Sequence, residues 1–285
     1  MILSFHPCFD ADVQIILGSR PLDSGNLKLI RKAKAIILPQ ALKADLHEAC
    51  SKSDAFLFPD YKIRFIYPGK IGHSLMFRDF GYSHPQTLRW STVQEFKKKH
   101  PEAESFPHKL PFLIKEDRSH EAEGVCLVED RHSLSKALTR LQHRESSGLS
   151  GFITQEYVAS NGNVLRAVII GKNVVTYWKR PSRPGQIITT ISHGAIIDHH
   201  WRQDLQEKGK KQARALSKTT GINVAAVDFV FDLPDKEPEP LFLEINYYFG
   251  RRGLGGSEKY YYLLYQAIQD WLGDIGLNPE SVKLI

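Results

Sequence analysis

The sequence predicts a small, mostly parallel α/β unit followed by a larger α+β region, and three observations carry that prediction. Over residues 1–82 short apolar runs alternate with amphipathic segments, the pattern of strands joined by crossover helices. From 152 to 178 three apolar runs follow one another with only turns between them, which calls for antiparallel pairing. No internal repeat or low-complexity tract interrupts either part.

In the N-terminal part, residues 2–5, 13–17, 35–38 and 55–58 are short, apolar and bounded by turn residues, as strands are. Between them Leu27, Leu29, Ile30 and Ala33, then Ala41, Leu42, Leu46 and Ala49, recur at helical spacing. Asp23 and Ser24 are available to cap the first of these helices. No glycine-rich phosphate loop follows any strand, so this unit is not a nucleotide site by itself. Lys70 opens a further helix with Leu75, Met76, Phe77 and Phe80 on its apolar side, and Gly81 stops it. The first domain is placed at 1–82.

Beyond it, 111–128 reads as strand, polar loop, strand, and 133–143 as an amphipathic helix. Residues 152–158, 164–170 and 173–178 read as strands, with Asn161-Gly162 turning between the first two and Gly171-Lys172 between the second and third. A helix over about 202–219 ends at Gly221. Two more strands, 225–231 and 241–245, flank the polar connection DLPDKEPEP, and a tyrosine- and leucine-rich helix covers 257–272. A second boundary near 160 divides the region into 83–160 and 161–285.

Composition narrows the function classes. Hydrophobic residues make up 42% and charged residues 25%, ordinary for a globular chain. No apolar run approaches the roughly 20 residues that cross a bilayer. The opening MILSFHPCFDAD lacks a basic leader and is broken by His6 and Pro7, so a strand is expected there rather than a signal peptide. Cys8, Cys50 and Cys126 are odd in number and without CxxC spacing, which argues against a disulfide framework and for a cytoplasmic location. A net charge of +6 and a pI near 9.1 favour anionic partners, but both signs are interspersed. No RRM, KH, zinc-finger or helix-turn-helix signature is present, so neither nucleic acid nor membrane is expected as a partner. His199-His200 adjoin no metal-ligand pattern, and no GxSxG or Cys–His arrangement offers a covalent nucleophile.

The strongest chemical signal is the strand pair VAAVDFVFD and LFLEINYYFG. Asp228 sits mid-strand in an apolar run. Glu244 and Asn246 alternate with Leu243 and Ile245 and so share one face. In a hairpin the three would converge as hard oxygen donors suited to Mg²⁺ on nucleotide phosphates, and a cation would offset the cost of burying the carboxylates. The alternative, on these residues alone, is an edge hairpin whose Glu and Asn face solvent.

D…ExN on paired strands resembles the metal-binding end of the ATP-grasp superfamily, which includes glutathione synthetase, D-alanine–D-alanine ligase and the ribosomal-protein glutamate ligases. Three further stretches agree in order. Lys70 in PGKIGHSLMF resembles the phosphate-contacting lysine that opens the helix before the grasp domain. Lys115 in FLIKEDRSHEAEGVCLV resembles the lysine preceding the phosphate-covering loop. ITQEYV, with Gln155, Glu156, Tyr157 and Val158, resembles the hinge beside adenine. In GNVLRAVIIGKNVVTYWKR, Arg180 takes the place of the arginine that ends a hairpin next to the phosphates, and Arg166 the earlier one.

The resemblance implies an ATP-grasp fold behind a small N-terminal parallel α/β domain, with ATP between two subdomains. It implies two Mg²⁺ ions (Mn²⁺ as the substitute) on Asp228, Glu244 and Asn246. The implied reaction joins a small-molecule or peptide carboxylate to an amine, or less often a thiol, through an acyl phosphate. Phosphorylation of a hydroxyl and nucleotide binding without turnover remain the alternatives. Dimers are common in the family.

Departures from the family pattern cluster in three places. The covering loop RSHEAEGV holds only Gly124 where glycines are usual, and Glu116 stands where proline is common. Asn163 stands near the usual acidic ribose contact. YYFGRRGLGG replaces the small residues and Pro-Gly that commonly follow the asparagine, so Arg251 and Arg252 become candidates for substrate carboxylate recognition, with His193 a further candidate near the acceptor.

Overall fold

A computed structural model describes residues 1–101, 105–119, 123–189 and 194–285. The N-terminal unit is a four-stranded parallel sheet in the order β3-β1-β4-β5, from β1 (Ile2–Ser4), β3 (Val13–Gln14), β4 (Ala35–Ile37) and β5 (Phe56–Phe58). Helices α1 (Ser24–Lys32) and α2 (Ala44–Ser51) make its crossovers, and the Asp23 carboxylate caps α1 by accepting from the Asn26 amide at 2.7 Å. The short β2 (Phe9–Asp10) pairs with β15 (Lys283–Leu284), so the last residues described return to this unit.

After α3 (Lys62–Ile66) and α4 (Gly69–Asp79), the order β6-β9-β7-β8 forms a smaller antiparallel sheet from β6 (Thr87–Trp90), β7 (Phe112–Glu116), β8 (Val125–Val128) and β9 (Phe152–Glu156). Helices α5 (Val93–Lys99) and α6 (Arg131–Ser146) cover it, and Phe96, Phe112, Leu138 and Phe152 build its core.

The larger antiparallel sheet, in the order β12-β11-β10-β13-β14, comprises β10 (Val164–Ile170), β11 (Asn173–Arg180), β12 (Ile196–Asp198), β13 (Val224–Val230) and β14 (Leu241–Asn246). One face packs on α7 (Gln203–Thr220) through Leu165, Ala167, Trp178 and Leu216. The other packs on α8 (Ser257–Asp274) through Val168, Ile170, Tyr177 and Ile268. The two-residue period of each strand therefore decides which side chains face α8.

One expected connection differs. Asn161 and Gly162 adopt left-handed φ values of 49° and 73°, as a turn requires, but they do not join paired strands. β9 and β10 lie in different sheets, and residues 157–163 cross between them. The segment cannot fold as a compact hairpin because β9 already has β6 and β7 on its two sides.

Candidate active site

A cavity of about 1170 Å³ lies where the three units meet. On one wall β13 and β14 pair with Asp228 directly opposite Glu244, and Ala226 opposite Asn246. A register shift after Asp228 leaves Leu243 as an extra residue in β14, and this bulge turns Leu243 toward the cavity as well. Two carboxylates facing each other across strands repel unless cations intervene.

Two cations do so at Asp228, which is 1% exposed. Arg166 of β10 donates Nε to Oδ1 at 2.8 Å and Nη2 to Oδ2 at 2.7 Å, while Lys179 of β11 donates Nζ to Oδ2 at 2.9 Å. Burial pushes the Asp228 carboxyl up, but Arg166 and Lys179 outweigh it and hold the group well below the usual carboxylate range. Glu244 is likewise raised by burial and by Asp228, yet Lys70, Lys179 and Lys115 draw it below its ordinary value. Both carboxylates are therefore ionised at neutral pH.

Asn246 bridges the two. Its Nδ2 donates to Asp228 Oδ2 at 3.3 Å and to Glu244 Oε1 at 3.1 Å. One weak donor shared between two anions marks a position that a divalent cation would satisfy better, and rotation of the amide would turn its oxygen to that same position. The donor set thus fits Mg²⁺. Among the described residues no group of three or more His, Cys, Asp or Glu side chains could hold a metal, so the trio depends on the asparagine.

The opposite wall supplies lysines. Lys115 of β7, 5% exposed, donates to Gln155 Oε1 at 2.6 Å, and Gln155 in turn donates to Thr87 Oγ1 at 2.9 Å. Burial, the largest influence, lowers the Lys115 ammonium to about 8. Lys70 in the first turn of α4 donates to the Ser119 carbonyl at 2.7 Å and to its hydroxyl at 3.0 Å. Asp117 reaches back to accept from the Ile71 amide at 3.0 Å, so the loop after β7 is tied to the N-terminus of α4. Gly69 is required there: with φ at 70°, a Cβ would lie 2.4 Å from Asp117 Oδ1. Lys70, Lys115, Arg166 and Lys179 outnumber the carboxylates Asp228 and Glu244, leaving a surplus of positive charge in this part of the cavity.

Between these walls Leu113, Val125, Val158, Val164, Ile187 and Leu243 form an apolar slot bordered by Gln155, Glu156 and Tyr157. Glu116, where proline was the family expectation, faces away from it. Arg140 and Arg144 of α6 hold its carboxylate at 2.9 and 3.3 Å, fixing the start of the loop. Residues 120–122 of that loop, and His193, lie outside the described residues.

Two expected site residues lie elsewhere. Arg180 is not on the cavity wall. It pairs with Asp198 Oδ2 at 2.8 Å and stacks on Trp201 at 4.4 Å, on the α7 face. Strand alternation is the reason: Trp178 packs with Phe231 in the α7 core, so Arg180 follows it, while Lys179 lies on the opposite face with the core residue Tyr177 and lines the cavity. Asn163 is buried and spends its amide on the carbonyls of Ser160 (2.8 Å) and Asn161 (3.3 Å), closing the turn before β10. Arg251 and Arg252 do line the cavity, as do Gln40 and Arg64 from the N-terminal unit, which no motif singled out.

The family described as "RimK-like ATP-grasp domain" matches residues 86–262. "Beta-citrylglutamate synthase B" of Danio rerio is 29% identical over 147 residues, covering 51% of this chain and 34% of that protein. "Probable alpha-L-glutamate ligase 1" of Shewanella frigidimarina is 27% identical over 150 residues, covering 52% of this chain and 45% of its own. The chain thus matches less than half the length of these relatives. The crystal structure of a RimK domain ATP-grasp protein from Sphaerobacter thermophilus superposes with a TM-score of 0.56 over 92% of this chain and 97% of that one, at 13% identity.

Proposed function

Because the chain belongs to the RimK-like ATP-grasp family, we propose that it is an ATP-dependent ligase joining glutamate to a second small-molecule or peptide partner through an amide bond. The observation that carries this reading is the surplus of buried cationic side chains around Asp228 and Glu244, an arrangement suited to a triphosphate. Glutamate enters from the names of the two curated relatives.

In this reading the apolar slot takes the purine, and Lys70 and Lys115 hold the phosphate oxygens. Asp228, Glu244 and Asn246 would hold magnesium, which supplies charge neutralisation on the transferring phosphoryl group. Arg166 and Lys179 position Asp228. The substrate carboxylate attacks the γ-phosphorus and ADP departs with the bonding pair. The amine then adds to the acyl carbon, loses a proton and expels phosphate. Catalysis rests on positioning and fixed charge, with no covalent nucleophile.

The test is incubation with ATP, Mg²⁺, hydroxylamine and glutamate, alone and with a panel of carboxylic acids. A hydroxamate that requires ATP and Mg²⁺ is expected. A stable phosphate ester in its place would instead identify a kinase.

Two further outcomes follow. Lys179→Met should weaken ATP binding or turnover by about 10²-fold, whereas Arg180→Met should change either by less than about threefold. Comparable losses would contradict the assignment of faces. Binding a polyanion beside Lys115 should raise its pKa from about 8, so nucleotide binding at pH 8 should take up protons. Affinity should then fall as pH rises through that value. Calorimetry in buffers of different ionisation enthalpy reads the uptake directly; its absence would remove Lys115 from the phosphate contacts.

A further inference from the structure

The wall of the cavity built by the N-terminal unit and the turn after β14 carries polar groups without partners. Gln40 is 7% exposed, yet among the described residues neither its side-chain oxygen nor its nitrogen has a hydrogen-bond partner. Burying an unsatisfied amide costs stability, and such a group in a cavity wall is complementary to something that enters the cavity. Arg64 lies beside it and donates Nη1 to the Gln40 carbonyl at 3.1 Å. Its guanidinium rests on aromatic faces, 5.1 Å from the Tyr61 centroid and 5.7 Å from that of Tyr247. Arg251 is held in the same manner, 4.6 Å from the Tyr260 centroid and 4.5 Å from that of Tyr261. Among the described residues no carboxylate lies within ion-pair distance of Arg64 or Arg251. Two guanidinium groups oriented by stacking rather than by counter-ions present their donor edges unneutralised.

We propose that Gln40, Arg64 and Arg251 form a recognition subsite for an acidic, peptide-like substrate, the arginines binding a carboxylate that does not react and the Gln40 amide pairing with a neighbouring amide. The amide of Gln40 offers one donor side and one acceptor side, and an amide in the ligand complements both. The N-terminal unit then selects the substrate while the phosphate machinery lies in the two antiparallel sheets. This subsite rests on the ligase reading above, since it presupposes that Lys70, Lys115 and the carboxylates serve the nucleotide.

The test uses calorimetry with N-acetylglutamate (two carboxylates and an amide), glutarate (two carboxylates only) and inorganic phosphate, in the presence of Mg-ADP. Wild type is expected to prefer N-acetylglutamate over glutarate by roughly tenfold, and either acid over phosphate. Gln40→Leu should abolish the preference while leaving glutarate binding unchanged, and its melting temperature should be equal to or above wild type, because it removes an unpaired buried amide. A purely packing role for Gln40 predicts the reverse, a lowered melting temperature with the preference retained. Arg64→Met should weaken both acids by roughly tenfold or more without altering Mg-ATP affinity. Equal affinity of wild type for the three probes, or unchanged preference in Gln40→Leu, with Mg-ATP binding intact, overturns the subsite alone. Failure of wild type to bind Mg-ATP overturns the ligase reading and the subsite with it.

Discussion

Replacing Asp228 by asparagine is expected to destabilise the protein by about 3–5 kcal/mol and to abolish turnover, the largest single effect in the molecule. The carboxylate is 1% exposed and satisfies Arg166 and Lys179 together, so neutralising it leaves two buried cations opposed only by Glu244 across the strand. Urea unfolding checks the stability loss. The pH dependence has a definite sign. Because the Asp228 pKa is depressed on folding, its contribution is complete above the unfolded carboxylate value of about 4 and is lost as pH falls below that. The mutant should therefore lose the acid-induced part of the wild-type transition. A triple variant, Asp228→Leu with Arg166→Met and Lys179→Met, should regain much of the stability without regaining activity, since an apolar replacement of a buried ionic cluster is commonly neutral or stabilising. Activity in that variant would show that the cluster is structural only.

Lys115→Met is expected to do the opposite: gain stability and lose function. Burial lowers the Lys115 pKa to about 8 from its ordinary 10.5. That difference corresponds to roughly 3 kcal/mol of unfavourable burial at pH below 8, an order-of-magnitude figure. Removing the ammonium relieves that cost. Loss of its bond to Gln155 offsets about 1 kcal/mol, leaving a net gain near 2 kcal/mol at pH 7. Above pH 8 the folded lysine is already neutral while the unfolded one still binds its proton up to about 10.5, so wild-type stability should rise with pH across that interval and the advantage of the mutant should shrink. Turnover should fall by about 10²–10³ if the ammonium holds a phosphate oxygen. Thermal unfolding at pH 7 and pH 9.5, paired with ATP turnover, separates the two effects. A destabilised mutant with full activity would mean that Lys115 serves the fold.

Which parts of this were legible in the sequence follows from the physics of each element. The parallel N-terminal sheet could be read because apolar runs of four or five residues alternate with helical periodicity, and Asp23 caps where the pattern begins. Asp228, Glu244 and Asn246 could be read as neighbours because polar residues in otherwise apolar strands have only one face on which to meet. Arg180 misled because order along the chain says nothing of parity. The signal that corrects it, Trp178 one residue before Lys179, becomes decisive only once it is known that the α7 face holds the aromatic core. Asn163 misled because an asparagine after a glycine closes a turn as readily as it meets a ligand. The different sheets of β9 and β10 depend on which strands flank β9, a long-range fact that local turn residues do not encode. Gln40 and Arg64 carried no sequence signal at all. Their meaning comes from stacking of the Arg64 guanidinium and from burial of a Gln40 amide that has no partner among the described residues.

The measurement that tests the central claim most directly is calorimetric titration of ATP, with and without Mg²⁺, into wild type and into the Glu244→Ala, Asn246→Ala double variant. The account predicts magnesium-dependent binding in wild type that is lost in the variant, whose Asp228 remains held by Arg166 and Lys179 and whose fold should therefore persist. Equal binding of Mg-ATP by the two proteins, or no binding by wild type, would contradict it.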